Sequence, residues 1–545
     1  MYPQGKAREL FEAISQINKK AYARDVWLAN HVLSKTPHCA EILEHYEQGL
    51  EPRKFSKLQI ACKVLHCWAT HLAVFGLMLL AKFAQNLSGL PNAKELKFCR
   101  EPVTLVDIFV LAQCVLDQKK FTDPYFPGLY EALAQKGQSV FILARFYGTR
   151  SPRSLKKVFD ILKKHNLPVI TEYELLTFSD WLELLKFAFA FPLQTLELER
   201  NLEKEARLER AAPSTAEKFP AEAVEHVRAA LLTCLAQNYM SGESRRLAAK
   251  RLAALLPENS KIISWYENQV IDKCFYRGLH EAGASAKTYA AQLLTWPDTL
   301  LNNHADPSDA LHRAAPDVVL VNGSYFLPSL PPDAPGAASQ PTEAPGSKPY
   351  RPYPNGPEYR IGPALRYRDL FDGLIKPDPT KPVLLLLSYH PEESERILSL
   401  GKKLADKGVP LAIKFHPATK EQTYGDLLNF AYTKISGPLK TALQETSLVM
   451  GSGSGSLAEA VALGVPVIAV QNIAGITFNY LPEYGRGELW ESAGSAEEFF
   501  TAREKLMQTL TGDAYSREER VYTFRSLMFT EPTQEKIFQA FDLES

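Results

Sequence analysis

The chain has 545 residues, 46% of them apolar, and its 62 lysines and arginines equal its 62 aspartates and glutamates. That length predicts two or three domains with sizeable cores, and the zero net charge excludes a general nucleic-acid binder held by a basic field. Seven scattered cysteines, none in a CxxC pair, argue against a disulfide framework or a zinc site and fit a reducing cytoplasm.

The N-terminus, MYPQGKARELFEA, lacks the apolar core of a signal peptide. Residues 1–100 read as a helical region with basic interruptions such as RKFSK from Arg53. The longest apolar run, LHCWATHLAVFGLMLLAKF at 65–83, carries His66, His71 and Lys82 near its ends. Its period predicts a core helix first and a membrane-surface helix second, and a membrane span fits least.

Residues 101–328 alternate. VTLVDIFVLAQCVL is apolar, FTDPYFPGLYEALAQKG reads as a loop entering a helix, and SVFILARF at 139–146 as a strand. LKKVFDILKKHN is an amphipathic helix and LPVITEYELL a second strand-like run. Strand, helix, strand predicts a parallel sheet with helices on its faces. Residues 195–257 are charged and helical, broken at AAPSTAEKFP. KIISWYENQ from Lys261 is a strand ending in polar residues; KTYAAQLL and the strand PDVVLVNG at 316–323 follow. Residues 329–359 are rich in proline, glycine, alanine and serine and predict a linker.

Residues 360–545 carry the clearest alternation. The strands are PVLLLLSYH, PLAIKFHP, LVMG and VPVIAV, with helices PEESERILSLGKKLADKG, GPLKTALQETS and SLAEAVALG between them and two helical stretches at the end. This predicts a doubly wound nucleotide-binding domain.

Between LVM and its helix lies GSGSGS, residues 451–456. Glycine lets a ligand touch backbone, and free N–H groups at a helix start attract anions. Ser452, Gly453, Ser454, Gly455 and Ser456 are therefore candidates to cradle a phosphate. Ser456 and Glu459 also fit a capping box, which alone would explain both. At the end of another strand, His416 is held by Pro417 and is placed to donate to a phosphate oxygen, its near-neutral pKa helping it carry charge. Ser388, Tyr389 and His390 close PVLLLL at the same edge.

A strand ending in HP, a glycine-serine loop and EAVALGVPVI together resemble the nucleotide-sugar half of GT-B glycosyltransferases. The pairing is most similar to bacterial polysialyltransferases and Kdo transferases, which use CMP-activated acidic sugars. DPYFPGL (123–129), YENQ (266–269), PDVVLVNG and IGPALRYR (361–368) resemble proteins of surface carbohydrate biosynthesis. The long proline-rich insert departs from that pattern. The resemblance implies an α/β, GT-B-like fold: two Rossmann-like doubly wound domains facing a cleft, after an N-terminal helical region. It implies that His416, Ser452 and Ser454 contact the donor phosphate, that Glu459 reaches the ribose, and that the first domain binds the acceptor and supplies a carboxylate.

Transfer needs a base for the acceptor hydroxyl. Glu267, beside Asn268 and Gln269 at a strand end, suits a cleft. Asp107 within an apolar run needs a partner if buried. Asp123, and Asp298 with His304, complete the candidates; the residue types do not choose among them. No DxD pair stands in a convincing loop, so no metal and no resident cofactor are expected, the CMP-activated sugar being a co-substrate. The expected partners are a nucleotide-sugar donor and a glycan or glycolipid acceptor, with no nucleic acid. The expected location is the cytoplasm, with peripheral membrane association at its inner face. A UDP-sugar transferase, a polyol-phosphate polymerase and a non-catalytic nucleotide-binding scaffold are the alternatives.

Overall fold

The structure is a computed structural model describing residues 5–24, 38–90, 93–147, 151–211, 221–328, 351–353, 355–417, 419–473, 475–511 and 514–543. It has the expected fold class: two parallel sheets, each flanked by helices, meeting across a cleft.

The first sheet has seven strands: β1 (Val103–Leu111), β2 (Ser139–Tyr147), β3 (Val169–Thr171), β4 (Lys261–Trp265), β5 (Lys287–Gln292), β6 (Val318–Val321) and β7 (Glu358–Ile361). Their order is β3-β2-β1-β4-β5-β6-β7, all pairs parallel. VTLVDIFVL becomes β1 because its apolar residues are buried on both faces, as a central parallel strand requires. The second sheet has β8 (Val383–Leu386), β9 (Leu411–Lys414), β10 (Thr433–Lys434), β11 (Leu448–Gly451), β12 (Val467–Val470) and β13 (Trp490–Ala493). Its order is β10-β9-β8-β11-β12-β13. Each sheet reverses its winding once, at β1/β4 and at β8/β11. In such sheets ligands lie beyond the carboxyl ends of the strands at that point.

The predicted boundaries shift at two places. Residues 329–350 of the expected linker lie outside the described residues, but its end, from Glu358, forms β7 and pairs with β6. A chain already extended beside an open sheet edge gains backbone hydrogen bonds by joining it. The end of the expected second domain also returns to the first. Ile537, Ala540 and Phe541 sit in one apolar cluster with Val106 and Phe126. Asp542 accepts from Lys287 Nζ and Tyr289 Oη at 2.6 Å and from Arg360 Nη1 at 2.7 Å. The outward and return crossings touch: Ala364 N donates to Thr530 O at 2.8 Å, and Thr530 N to Asn322 O at 2.7 Å. The lobes also share packing, since Leu105 of β1 and Val449 of β11 belong to one apolar cluster.

The N-terminal region is helical as expected, with α1 (Gly5–Tyr22), α2 (His38–Glu47) and α3 (Lys57–Ser88). Ser56 caps α3 by a reciprocal bond with Gln59, and Gly89 ends it at φ 65°. The core-helix expectation for 65–83 is corrected. α3 buries Val64, Cys67, His71 and Met78 along one side only, while Leu65, Leu72, Leu79 and Phe83 stay exposed. Its apolar residues run nearly all round, so one packed stripe leaves the opposite stripe uncovered.

Candidate active site

The glycine-serine loop follows β11 at the reversal point and turns toward the first lobe. Gly453 has φ 59°, a left-handed conformation costly to other residues. Its carbonyl accepts from Ser388 Oγ at 3.2 Å, tying the ends of β8 and β11 together. Gly455 lies against the other lobe: a Cβ there would sit 1.9 Å from Thr295 Oγ1. Thr295 is buried and lies three residues beyond β5. The bare backbone is thus needed for lobe-to-lobe approach as well as for any ligand.

Ser452 is 2% exposed and its Oγ has no hydrogen-bond partner among the described residues. Across Gly453, the buried Glu393 has an unpartnered Oε2, while its other oxygen pairs with Arg396. Buried polar atoms are rarely left unmatched without a role. Ser454 Oγ accepts from Ser456 N at 3.3 Å. The capping box is not formed: Gly455 holds the cap position without a side-chain bond, and Ser456 is already helical. The Ser456 hydroxyl bonds to Glu459 instead.

A cavity of about 520 Å³ opens beside Gly453. Glu392 and Glu393 line it from the second lobe, Glu41 and Glu44 from α2, with Phe478 and Tyr480 as aromatic walls. Glu44 reaches across to Asn472 Nδ2 at 3.4 Å. His45 and His390 line it too, but four carboxylates outweigh them, so this cavity suits an uncharged, donor-rich group and not the phosphate. Neither α2 nor Glu393 was singled out by motif. HPEES reads only as a helix start, and nothing local in α2 signals a contact more than 400 residues away.

His416, at the end of β9, is half-buried with its ring 5.5 Å from Tyr389, and Pro417 is exposed. Burial, then the neighbouring His390, lower its pKa. Without a bound anion the charged imidazolium is thus disfavoured, and a phosphate at this ring would oppose that shift. Either form of the ring offers a phosphate at least one N–H.

Burial pushes the Glu459 carboxyl up to about 7, with Arg366 opposing the rise. The native state therefore holds this proton more tightly than the unfolded chain. Its contribution to stability is complete below the ordinary value of 4.5 and is lost as pH rises through about 7. Glu459→Gln is expected to raise the melting temperature above about pH 8 and leave it unchanged near about pH 4. Paired thermal melts check this; an equal shift at both pH values would contradict it.

Of the first-lobe candidates, Gln269 lines the space between the lobes, and half-buried Glu267 is bonded to it from behind. Glu267 follows β4 at the reversal point and accepts from Trp265 Nε1 at 3.0 Å and Gln269 Nε2 at 2.6 Å. Burial raises its pKa, Asp272 adds to the rise, and Arg145 and Arg366 oppose it. Gln269 lines a second cavity of about 1070 Å³ between the lobes, shared with Phe109, Phe146 and, from beyond β8, Tyr389, His390 and Pro391. Arg366, on the crossing after β7, stands within electrostatic reach of both Glu267 and Glu459. It lies inside the IGPALRYR run, yet only the folded crossing gives it a role.

The other candidates are held elsewhere. Asp107 is fully buried between Arg145 and Arg245; Arg145 also pairs with Asp272 at 2.9 Å and Arg245 with Glu172. Asp123 accepts from Tyr125 N at 2.7 Å and Tyr130 Oη at 2.7 Å, fixing the turn that starts a helix. Asn268, at φ 52°, spends its amide on the carbonyls of Asn302 and His304 at 2.7 and 3.1 Å. His304 is buried between Phe11 and Trp296 and donates to Asp298 O at 2.6 Å. Asn268 and His304 are therefore turned into the protein fabric and not toward a sugar. Asp298 is exposed on the loop after β5. Among the described residues no group of three or more His, Cys, Asp or Glu could hold a metal ion.

No family model matches the chain, and no curated protein matches it. Solved structures with a similar chain course include the glycosyltransferase of kitacinnamycin, 12% identical with a TM-score of 0.35, covering 81% of this chain and 100% of that one. Phytolacca americana UGT2, complexed with UDP-2-fluoro-glucose and pterostilbene, is 12% identical with a TM-score of 0.37, covering 81% and 99%. UDP-GlcNAc 2-epimerase from Neisseria meningitidis, bound to UDP-GlcNAc, is 10% identical with a TM-score of 0.37, covering 81% and 100%.

Proposed function

We propose that this chain is a GT-B-type glycosyltransferase. It moves an acidic ulosonic sugar, Kdo or a sialic-acid-like nonulosonate, from a CMP donor to a bacterial surface glycan. The observation that carries this reading is the facing of the two reversal points. The loop 452–456 and Ser388 stand on one side of the cleft, with Gln269 on the other and Glu267 bonded to it.

The chemistry divides between the lobes. Glu267 takes the proton from an acceptor hydroxyl, whose oxygen attacks the anomeric carbon of the donor. The bond from that carbon to the phosphate oxygen breaks, and CMP leaves with both electrons. The loop amides, the Ser452 hydroxyl and the His416 N–H receive the charge gathering on the phosphate. Glu459 accepts from the ribose, and Arg366 offsets the charge of both carboxylates. The activated sugar is a co-substrate and the chain needs no resident cofactor. The reaction belongs to the cytoplasmic face of the membrane, where lipid-linked acceptors are met.

The acid-lined cavity supports cytosine over uracil. Cytosine presents an exocyclic amine to a carboxylate, whereas uracil presents a carbonyl oxygen at the same position. The base enters between Phe478 and Tyr480 while its phosphate stays at the loop amides. Thermal shifts with CMP, CDP, UMP and UDP test this, a ligand at a hundredfold excess over Kd adding about 2.7 kcal/mol. CMP giving the largest shift supports the reading; UDP giving it moves the assignment to a UDP-sugar transferase; no shift leaves a non-catalytic scaffold. His416→Ala is expected to lower kcat about 100-fold with the melting temperature unchanged, and undiminished turnover would remove its role.

A further inference from the structure

We propose that α3 and the helix Phe178–Ala211 form a docking face for an anionic lipid bilayer. Leu58, Leu65, Leu72 and Leu79 recur every seven residues along α3, and Phe83 and Leu87 extend the row. Leu65 and Phe83 are each 61% exposed. Beside them Phe178, Leu182, Phe189 and Leu193 are exposed on the second helix. The helices are joined: Trp68 Nε1 donates to Phe189 O at 3.0 Å, and Phe75 meets Trp181 at 5.7 Å. At 1.5 Å per residue α3 is ~48 Å long. Continuous apolar faces of that reach mark a contact with another phase or partner.

Charge selects the occupant. α3 has no aspartate or glutamate; of its lysines Lys57 is exposed while Lys63 and Lys82 are half-buried, and exposed Arg53 and Lys54 precede it, Lys54 beside Glu51 at 3.4 Å. On the adjoining helix Asp180 is paired with Arg251 and Glu183 with Arg246, while Lys186 is exposed and Glu197, farther along, is exposed too. A second copy would bring like charge against like, whereas anionic headgroups bring the opposite sign. The helix lies on the surface and does not cross it. Its other side is fixed in the protein by buried Cys67, His71 and Met78, and by Lys63 Nζ bonding to Thr233 O at 2.8 Å.

The docking face and the cleft share a wall. Met78, on the inner side of α3, lines the 1070 Å³ cavity with Phe109, Phe146 and Tyr239. A bilayer against Leu79 and Phe83 therefore stands one helix from the acceptor side of the cleft. This assigns the acceptor to a class, a glycan on a lipid anchor; that step rests on the proposed transfer reaction, whereas the docking face does not.

Vesicle flotation of the full chain tests it, with phosphatidylcholine alone and with added phosphatidylglycerol. The wild type is expected to float with the anionic vesicles at least tenfold more than with the neutral ones, and added salt should weaken this. Leu65→Glu with Leu72→Glu, both at exposed positions, should abolish flotation while leaving the melting temperature and the CMP shift intact. Equal flotation of variant and wild type would overturn the proposal. So would a wild type that binds no vesicle but runs as a dimer that the same substitutions dissociate. Flotation without any CMP shift would keep the docking face and sink the transfer reading.

Discussion

Replacing Asp107 with alanine is expected to cost about 3–5 kcal/mol of stability, as for other broken buried ion pairs. Asp107 sits in β1 beneath two guanidiniums, Arg145 and Arg245, both buried. Removing it leaves Arg145 with Asp272 and Arg245 with Glu172, so two cations share a dry site with one carboxylate less. Neither arginine can shed its proton to escape. Denaturant unfolding would show the midpoint falling with the slope unchanged. An unchanged midpoint with lost turnover would return Asp107 to the catalytic candidates.

Glu267→Gln has the opposite signature. Glutamine keeps the shape and can still accept from Trp265 Nε1, so the fold is expected to hold. On the proposed reaction this removes the general base, and kcat is expected to fall by about 10²–10⁴ while CMP binds as before. The wild-type rate should rise with pH through the raised pKa of Glu267, since only the ionised form takes a proton. Steady-state rates with CMP titration separate the two effects. A variant with full turnover would shift the search to Asp298, the remaining candidate with an exposed side chain.

The strands of the second lobe were legible because a parallel strand buried on both faces is written as an unbroken apolar run. PVLLLL, LVM and VPVIAV are such runs, and the loop at 451–456 follows directly from one. The position of Glu267 at a strand end was legible for a similar reason, as a polar residue where an apolar strand stops. What the residues did not disclose depends on remote partners. Asp107 reads the same whether it faces a substrate or two arginines, and Arg245 lies 138 residues away. Asn268 and His304 looked like cleft residues until the loop at 302–304 closed on them. β7 was hidden because a strand at an edge needs little apolar content, and α2 because its glutamates mark only an exposed helix until the second lobe faces them.

The two strands of chain that pass between the lobes are bonded to one another through Ala364, Thr530 and Asn322. Two adjacent tethers act mechanically as one pivot. Sliding of one half past the other would tear that seam, whereas a swing about it leaves the seam whole. Opening of the gap is thereby confined to rotation, and Thr295, lodged at Gly455 on the moving side, becomes the stop against which the closed position is set.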